Sequence, residues 1–163
     1  FLLFFSLTRL VKVIRTMVIT KLELIVNNYL FKNAAIGFIF GIIITTIVQS
    51  SSVTTSLIIP LAGAGIITVA QMFPYTLGAN IGTTVTALLA AMTTQNHIAV
   101  TVAFSHLCFN VFGIVLLYPF KFIPINLAIW IGNKAGESTR NLTLFIVVYI
   151  LIHFIPIIFI FFT

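Results

Sequence analysis

Four neutral hydrogen-bonding side chains in a row, Gln49-Ser50-Ser51-Ser52, interrupt one of the most apolar stretches of this chain. Fifteen mostly apolar residues precede them (Ala34 to Val48) and fifteen follow (Val53 to Ile67). A second cluster of the same chemistry comes next, Gly78-Ala79-Asn80-Ile81-Gly82-Thr83-Thr84-Val85-Thr86. Hydrocarbon tolerates polar groups only when they find partners. Two such clusters inside apolar sequence therefore point to a site for something polar that crosses a membrane.

The chemistry of the first cluster is that of an anion site. Any of Ser50, Ser51 and Ser52 can cap a helix that starts near Val53. The start of that helix presents free backbone N–H groups and a positive dipole end, a combination that binds phosphate or carboxylate. No Lys or Arg falls in the apolar stretch to share the work, so a multiply charged anion needs other compensation, which co-bound cations could supply. The second cluster suits that role. Gln49, Asn80, Thr83 and Thr86 offer neutral side-chain oxygens, hard cations take oxygen ligands, and weak neutral ligands fit a monovalent ion that must bind and leave. Thr83 and Thr86, three apart, share a helical face.

Other polar residues carry blander readings. A single hydroxyl such as Thr45, Thr46 or Thr101 is expected to bond the carbonyl four residues back or a neighbouring helix. His106 and Asn110 read as an interhelical hydrogen-bonded pair rather than a relay. His153, three before Pro156, reads as a partner for backbone freed by the proline. The single cysteine, Cys108, excludes an internal disulfide and reads as a small packing residue. Glu23 and Glu137 sit among basic residues and read as interfacial. Asn141-Leu142-Thr143 matches a glycosylation sequon, set aside because the expected topology puts it on the cytoplasmic side.

The elements that would hold these residues belong to a membrane protein. Of 163 residues, 61% are hydrophobic and only 6% charged, against about a quarter charged in soluble domains. The net charge of +6 reads as basic flanks of membrane spans rather than a nucleic-acid surface. The expected elements are the end of a span at 1–19, an amphipathic interfacial helix at 22–31, a hairpin at 34–67, a span interrupted by Pro74, Gly78 and Gly82 at 69–92, a span at 98–118, an amphipathic piece carrying Trp130 at 125–135, and a last span at 142–163. Each arm of Ala34–Ile67 would be about 22 Å long as a helix, short of the roughly 30 Å of hydrocarbon. The segment is therefore either a re-entrant hairpin or one helix running straight through. A hairpin puts Arg9, Lys12, Arg15, Lys21, Lys32, Lys121, Lys134 and Arg140 on one side of the bilayer, and the opposite link, Thr93 to His97, has no Lys or Arg. Positive-inside bias favours the hairpin, with the basic side cytoplasmic. Two glycines and an asparagine at Gly78–Gly82 disfavour continuous helix, so the 69–92 span is expected to be broken there, its unwound carbonyls facing the hairpin tip. The chain begins with Phe1, as though a span were already under way, and reads as a piece of a longer protein.

The run Gln49-Ser50-Ser51-Ser52-Val53, followed by Thr76-Leu77-Gly78-Ala79-Asn80-Ile81-Gly82-Thr83-Thr84, resembles the second repeat of type II sodium–phosphate cotransporters. Ser105-His106-Leu107-Cys108-Phe109-Asn110-Val111-Phe112-Gly113-Ile114, ending in Tyr118-Pro119, is similar to that family too. The resemblance implies an all-α, polytopic membrane fold built from inverted repeats, each half giving a re-entrant helical hairpin and a broken transmembrane helix to a central site. It implies that Gln49, Ser50, Ser51 and Ser52 contact phosphate, that Gln49 and Ser50 also reach sodium, and that Asn80, Thr83 and Thr86 help hold it. Ala79 departs from the serine that vertebrate members carry. A second Q-S-S-S repeat and the aspartate of the family's first half do not occur in this chain, so it resembles the C-terminal half of a transporter and implies a partner half, in the same longer chain or a second copy.

The expected function is sodium-coupled phosphate symport by alternating access at a cell membrane, with phosphate, sodium and the bilayer as partners and no nucleic acid, no cofactor other than co-transported Na⁺, no other metal and no catalysis. Alternatives are a channel or helper subunit, a sodium-coupled carrier of another anion, and, more remotely, an intramembrane serine hydrolase using one of Ser50–Ser52 with His106, which would lack a G-x-S-x-G elbow.

Overall fold

A computed structural model describes Arg9 and residues 29–162, the side chains of 156–159 and 161–162 excepted. The span expected at 1–19 and most of the interfacial helix at 22–31 lie outside the described residues. Those described form helices and connecting turns without a strand. Contacts divide the chain into two units, Phe1–Lys121 and Phe122–Thr163.

In the first unit, α1 runs Ala34–Val48, α2 Ser51–Gly63, α3 Val69–Thr93 and α4 His97–Leu117, the last followed by a 3-10 turn at Tyr118–Phe120. Local signals set each start. Asn33 Oδ1 accepts from the Ile36 amide at 2.8 Å and caps α1. Thr68 and Gln71 form a reciprocal capping box at the start of α3, which satisfies two of the amides a helix start leaves unpaired. Asn96 Oδ1 accepts from the Ile98 amide at 2.9 Å and caps α4.

Packing gives the direction of each helix. Gly37 lies against Gln71 and Pro74, Gly41 against Tyr75 and Ala79, and Gly82 against Ile42 and Thr45. Contacts on α3 advance as those on α1 advance, so the two helices run parallel. Gln71 Nε2 donates to the Phe31 carbonyl at 3.4 Å, which sets the start of α3 beside the start of α1. Between them α2 must bring the chain back, and α1 with α2 therefore forms a helical hairpin whose tip is Gln49–Ser50. The hairpin closes on a buried cluster of Phe31, Ile58, Ile66, Ile67 and Tyr75.

The expected break in the 69–92 span is not there. α3 continues as one 25-residue helix through Pro74, Gly78 and Gly82, and among the described glycines only Gly65 has positive φ. The glycines serve proximity instead. A Cβ on Gly78 would collide with the Phe38 carbonyl and one on Gly41 with the Tyr75 carbonyl; one on Gly82 would lie 2.8 Å from the Ile42 oxygen. Gly37 and Gly41 on α1, and Gly78 and Gly82 on α3, are each four apart, which puts each pair on one face. Two small-residue faces then let the backbones approach.

The second unit holds α5, Phe122–Gly136, and α6, Thr139–Phe162. Lys134 bridges to Glu137 at 2.9 Å at the exposed turn, and Asn141 Nδ2 donates to the Lys134 carbonyl at 3.0 Å. His153 Nδ1 lies 2.8 Å from the Tyr149 carbonyl one turn back. That is an ordinary i−4 contact, not the carbonyl freed by Pro156. Among the described residues one helical stretch, His97–Phe120, is long and apolar enough to cross a membrane by length and composition.

Candidate functional site

The hairpin tip is built by a reversal of two residues. Gln49 sits in the left-handed region (φ 59, ψ 23) and its amide donates to the Thr45 carbonyl at 2.7 Å, ending α1. Ser50 is extended (φ −150, ψ 110) and its Oγ accepts from the Val53 amide at 3.3 Å, starting α2. Of the three serines it is Ser50 that caps. A left-handed non-glycine residue with a Cβ costs about 1–2 kcal/mol, and such outliers gather where geometry serves a site.

This reversal leaves both kinds of helix end facing the tip. The carbonyls of Thr46, Ile47 and Val48 receive no backbone donor among the described residues, and neither the Ser51 nor the Ser52 amide finds a backbone acceptor. The first end carries partial negative charge, the second partial positive charge. Hydroxyls further along α2 are spent on its own backbone: Thr54 Oγ1 donates to the Ser50 carbonyl, Thr55 Oγ1 to that of Ser51 and Ser56 Oγ to that of Ser52, each at 2.7 Å. The hydroxyls of Ser51, half-buried, and Ser52, exposed, make no hydrogen bond among the described residues. The Gln49 side chain is exposed.

α3 brings Thr86 to the level of the tip and Thr83 about one turn below it. Because α1 and α3 run parallel with Thr45 against Gly82, one further turn on each reaches Gln49 and Thr86. Thr83 Oγ1 donates to the Ala79 carbonyl at 3.1 Å and Thr86 Oγ1 to the Thr83 carbonyl at 2.8 Å. Each hydroxyl hydrogen is thereby directed at the helix, and the oxygen lone pairs stay available to a cation. Asn80 stands apart. It is exposed and lies about half a turn away from Gly78 and Gly82, so it faces away from the α1 seam and is not brought to the tip by these helices. With α3 unbroken, no unwound carbonyls of Gly78–Gly82 are on offer.

His106 is exposed and Asn110 half-buried, and no hydrogen bond joins them or ties either to another described residue. The expected interhelical pair is thus not made within the described chain.

Two residues escaped the sequence reading. Tyr75, 1% exposed, donates from its hydroxyl to the Thr54 carbonyl at 3.2 Å and ties α3 to α2. Thr45 was expected to bond the carbonyl four residues back or a neighbouring helix; instead its Oγ1 is fully buried and meets no partner among the described residues. The glycine pairs of Gly37-Phe38-Ile39-Phe40-Gly41 and Gly78-Ala79-Asn80-Ile81-Gly82 were the signal that a close seam would bury it.

A family model described as Na+/Pi-cotransporter matches residues 2–122. Sodium-dependent phosphate transport protein 2B of Bos taurus is 41% identical over 125 residues, covering 74% of this chain and 18% of that protein. The Homo sapiens protein 2B is 39% identical over 119 residues, 70% of this chain and 17% of its own length. Sodium-dependent phosphate transport protein 2A of Oryctolagus cuniculus is 40% identical over 124 residues, 73% of this chain and 19% of that protein. The matched stretch therefore spans under a fifth of these relatives. No solved structure matches the chain.

Proposed function

The chain belongs to the Na+/Pi-cotransporter family, and on that premise we propose that it forms one half of a membrane symporter that couples sodium entry to inorganic phosphate. The observation that carries this reading is the hairpin tip, where α1 ends in unpaired carbonyls and α2 begins with unpaired amides. One end attracts a cation, the other an oxyanion. Phosphate would take the Ser51 and Ser52 amides and hydroxyls, with Ser50 holding the cap and Gln49 reaching over the turn. Sodium would take oxygens from Gln49, Ser50, Thr83 and Thr86 and offset the phosphate charge.

In this reading the hairpin enters the bilayer from the cytoplasmic side and does not cross it. α3 and α4 cross, and the basic residues stay cytoplasmic. The open face of α3 that carries Asn80 turns toward a second repeat half, so Asn80 would meet its ion only in the assembled carrier. Alternating access follows from one half rocking against the other around the tip.

The matched relatives are named as transport proteins, which supports transport over catalysis. A serine nucleophile needs its base in hydrogen-bond contact, and no histidine bonds Ser50, Ser51 or Ser52 among the described residues. The test is uptake of radiolabelled phosphate into proteoliposomes carrying the full-length protein, with and without an inward sodium gradient. Gradient-dependent uptake is expected. Uptake indifferent to sodium would favour a channel, and sodium-driven uptake of sulfate or a carboxylate in place of phosphate would change the substrate.

A further inference from the structure

Three polar residues are fully buried among the described residues: Thr45, Thr54 and Thr84. Two of them follow the ordinary rule for a threonine inside a helix. Thr54 Oγ1 donates to the Ser50 carbonyl at 2.7 Å and Thr84 Oγ1 to that of Ile81 at 2.8 Å. Its sequence neighbour Thr46 does the same with Ile42 at 2.8 Å. Thr45 alone among the described residues keeps a buried side-chain oxygen that meets no partner. Buried hydroxyls in native proteins are almost always satisfied, and an exception needs its own account: strain, a functional role, or a bound water or ion.

The position of this oxygen favours an ion. The Thr45 Cβ and methyl carbon are the atoms that lie against Gly82, so the seam that glycine permits fixes the side chain and with it the direction of the buried hydroxyl. Residues four apart share a helix face. Thr45 therefore lies one turn below the cap of α1, where the Gln49 amide bonds its carbonyl, as Gly82 lies beneath Thr86 on α3. The four positions form the end of the α1–α3 seam, with Gln49 and Thr86 above and Thr45 as its floor. The carbonyls that end α1 without backbone donors, those of Thr46, Ile47 and Val48, belong to the same turn.

We infer that Thr45 Oγ1 is a further ligand of the monovalent cation held at the hairpin tip, closing its oxygen shell from below. This rests on the sodium-coupled reading proposed above. A water molecule in the same place would satisfy the hydroxyl equally well, and the experiment separates the two.

Sodium binding to the purified full-length protein is read as the rise in melting temperature over a sodium chloride titration, with choline chloride holding ionic strength. Sodium-driven phosphate uptake is measured alongside it. Thr45→Val keeps the shape of the side chain and removes only the oxygen. It is expected to raise the half-saturating sodium concentration in both measurements by at least about tenfold, the loss of one charge-directed contact. Half-saturating phosphate at saturating sodium should stay unchanged, and Thr45→Ser should restore the sodium response. Thr45→Ala serves where the valine variant does not reach the membrane. A sodium titration that Thr45→Val or Thr45→Ala leaves where it was, with the serine variant no different, overturns the assignment and leaves water as the partner. A protein whose melting does not respond to sodium even without substitution overturns the sodium site itself, and the Thr45 assignment with it.

Discussion

Gly78 faces the carbonyl of Phe38 so closely that a Cβ built on it would collide with that oxygen. The obstacle is backbone, on a helix pinned along its whole seam, so it cannot swing aside as a side chain would. Gly78→Ala is expected to destabilise the protein by about 1–3 kcal/mol, the range for overpacking a tight contact. Gly113→Ala on α4 is the control: nothing lies within 4 Å of its Cβ position, and the change should be neutral or stabilising by up to about 1 kcal/mol through helix propensity. Melting of the purified protein in detergent compares the two. Equal melting temperatures would remove the α1–α3 seam as the reason for glycine at Gly78.

This relationship also marks where sequence reading stopped. Local chemistry at Gln49–Ser50 allowed either a reversal or a helix running straight through, and it was the placement of Lys and Arg that favoured the reversal. The same chemistry identified the unpaired amides of Ser51 and Ser52. Gly78 and Gly82 were harder. Glycine's freedom to unwind a helix and its freedom to let another helix approach have one origin, the missing Cβ, and they predict opposite structures. Only the matching Gly37–Gly41 pair on α1 decides for approach, and that pairing is a tertiary fact. Thr45 was misread for the same reason. Its rotamer answers to Gly82 across the seam rather than to its own helix.

Tyr75→Phe should separate the phenol from the ring. The hydroxyl bonds the Thr54 carbonyl, while the ring packs with centroids 5.7 Å from Phe31 and 5.8 Å from Phe40. Losing the hydroxyl alone is expected to lower stability by about 1 kcal/mol. Tyr75→Ala also removes the ring and should cost about 3–5 kcal/mol, as large aromatic deletions do. Chemical denaturation of the reconstituted protein, read by fluorescence of the single tryptophan, Trp130, would follow the second unit, so limited proteolysis across residues 64–68 is the better probe. Faster cleavage there in Tyr75→Phe is the expected result; no change would mean that the bond does not hold α2 to α3.

Gln49 should show stability and function moving in opposite directions. Its left-handed backbone is strained for any residue with a Cβ, and Gln49→Gly relieves that strain. The variant is expected to gain about 1 kcal/mol in stability while losing sodium-driven phosphate uptake, because the side-chain oxygen and amide are gone. Gln49→Ala keeps the strain and should lose uptake without the gain. If Gln49→Gly transports at the normal rate, the residue is there for its backbone and not for an ion.

The serines of the tip should divide by role. Ser50 caps α2 through its Oγ, and Ser50→Ala should lower stability by about 1 kcal/mol, the usual loss for an N-cap. The hydroxyls of Ser51 and Ser52 make no hydrogen bond among the described residues, so Ser51→Ala and Ser52→Ala should change stability by no more than about 0.5 kcal/mol. If those hydroxyls bind phosphate alongside the unpaired amides of the first turn, each alanine should raise the half-saturating phosphate concentration by about tenfold, the loss of one hydrogen bond to a charged ligand. Sodium dependence at saturating phosphate should change much less. Stable Ser51→Ala and Ser52→Ala proteins with ordinary phosphate dependence would show that the anion is held elsewhere, and the unpaired amides of α2 would lose their assigned ligand.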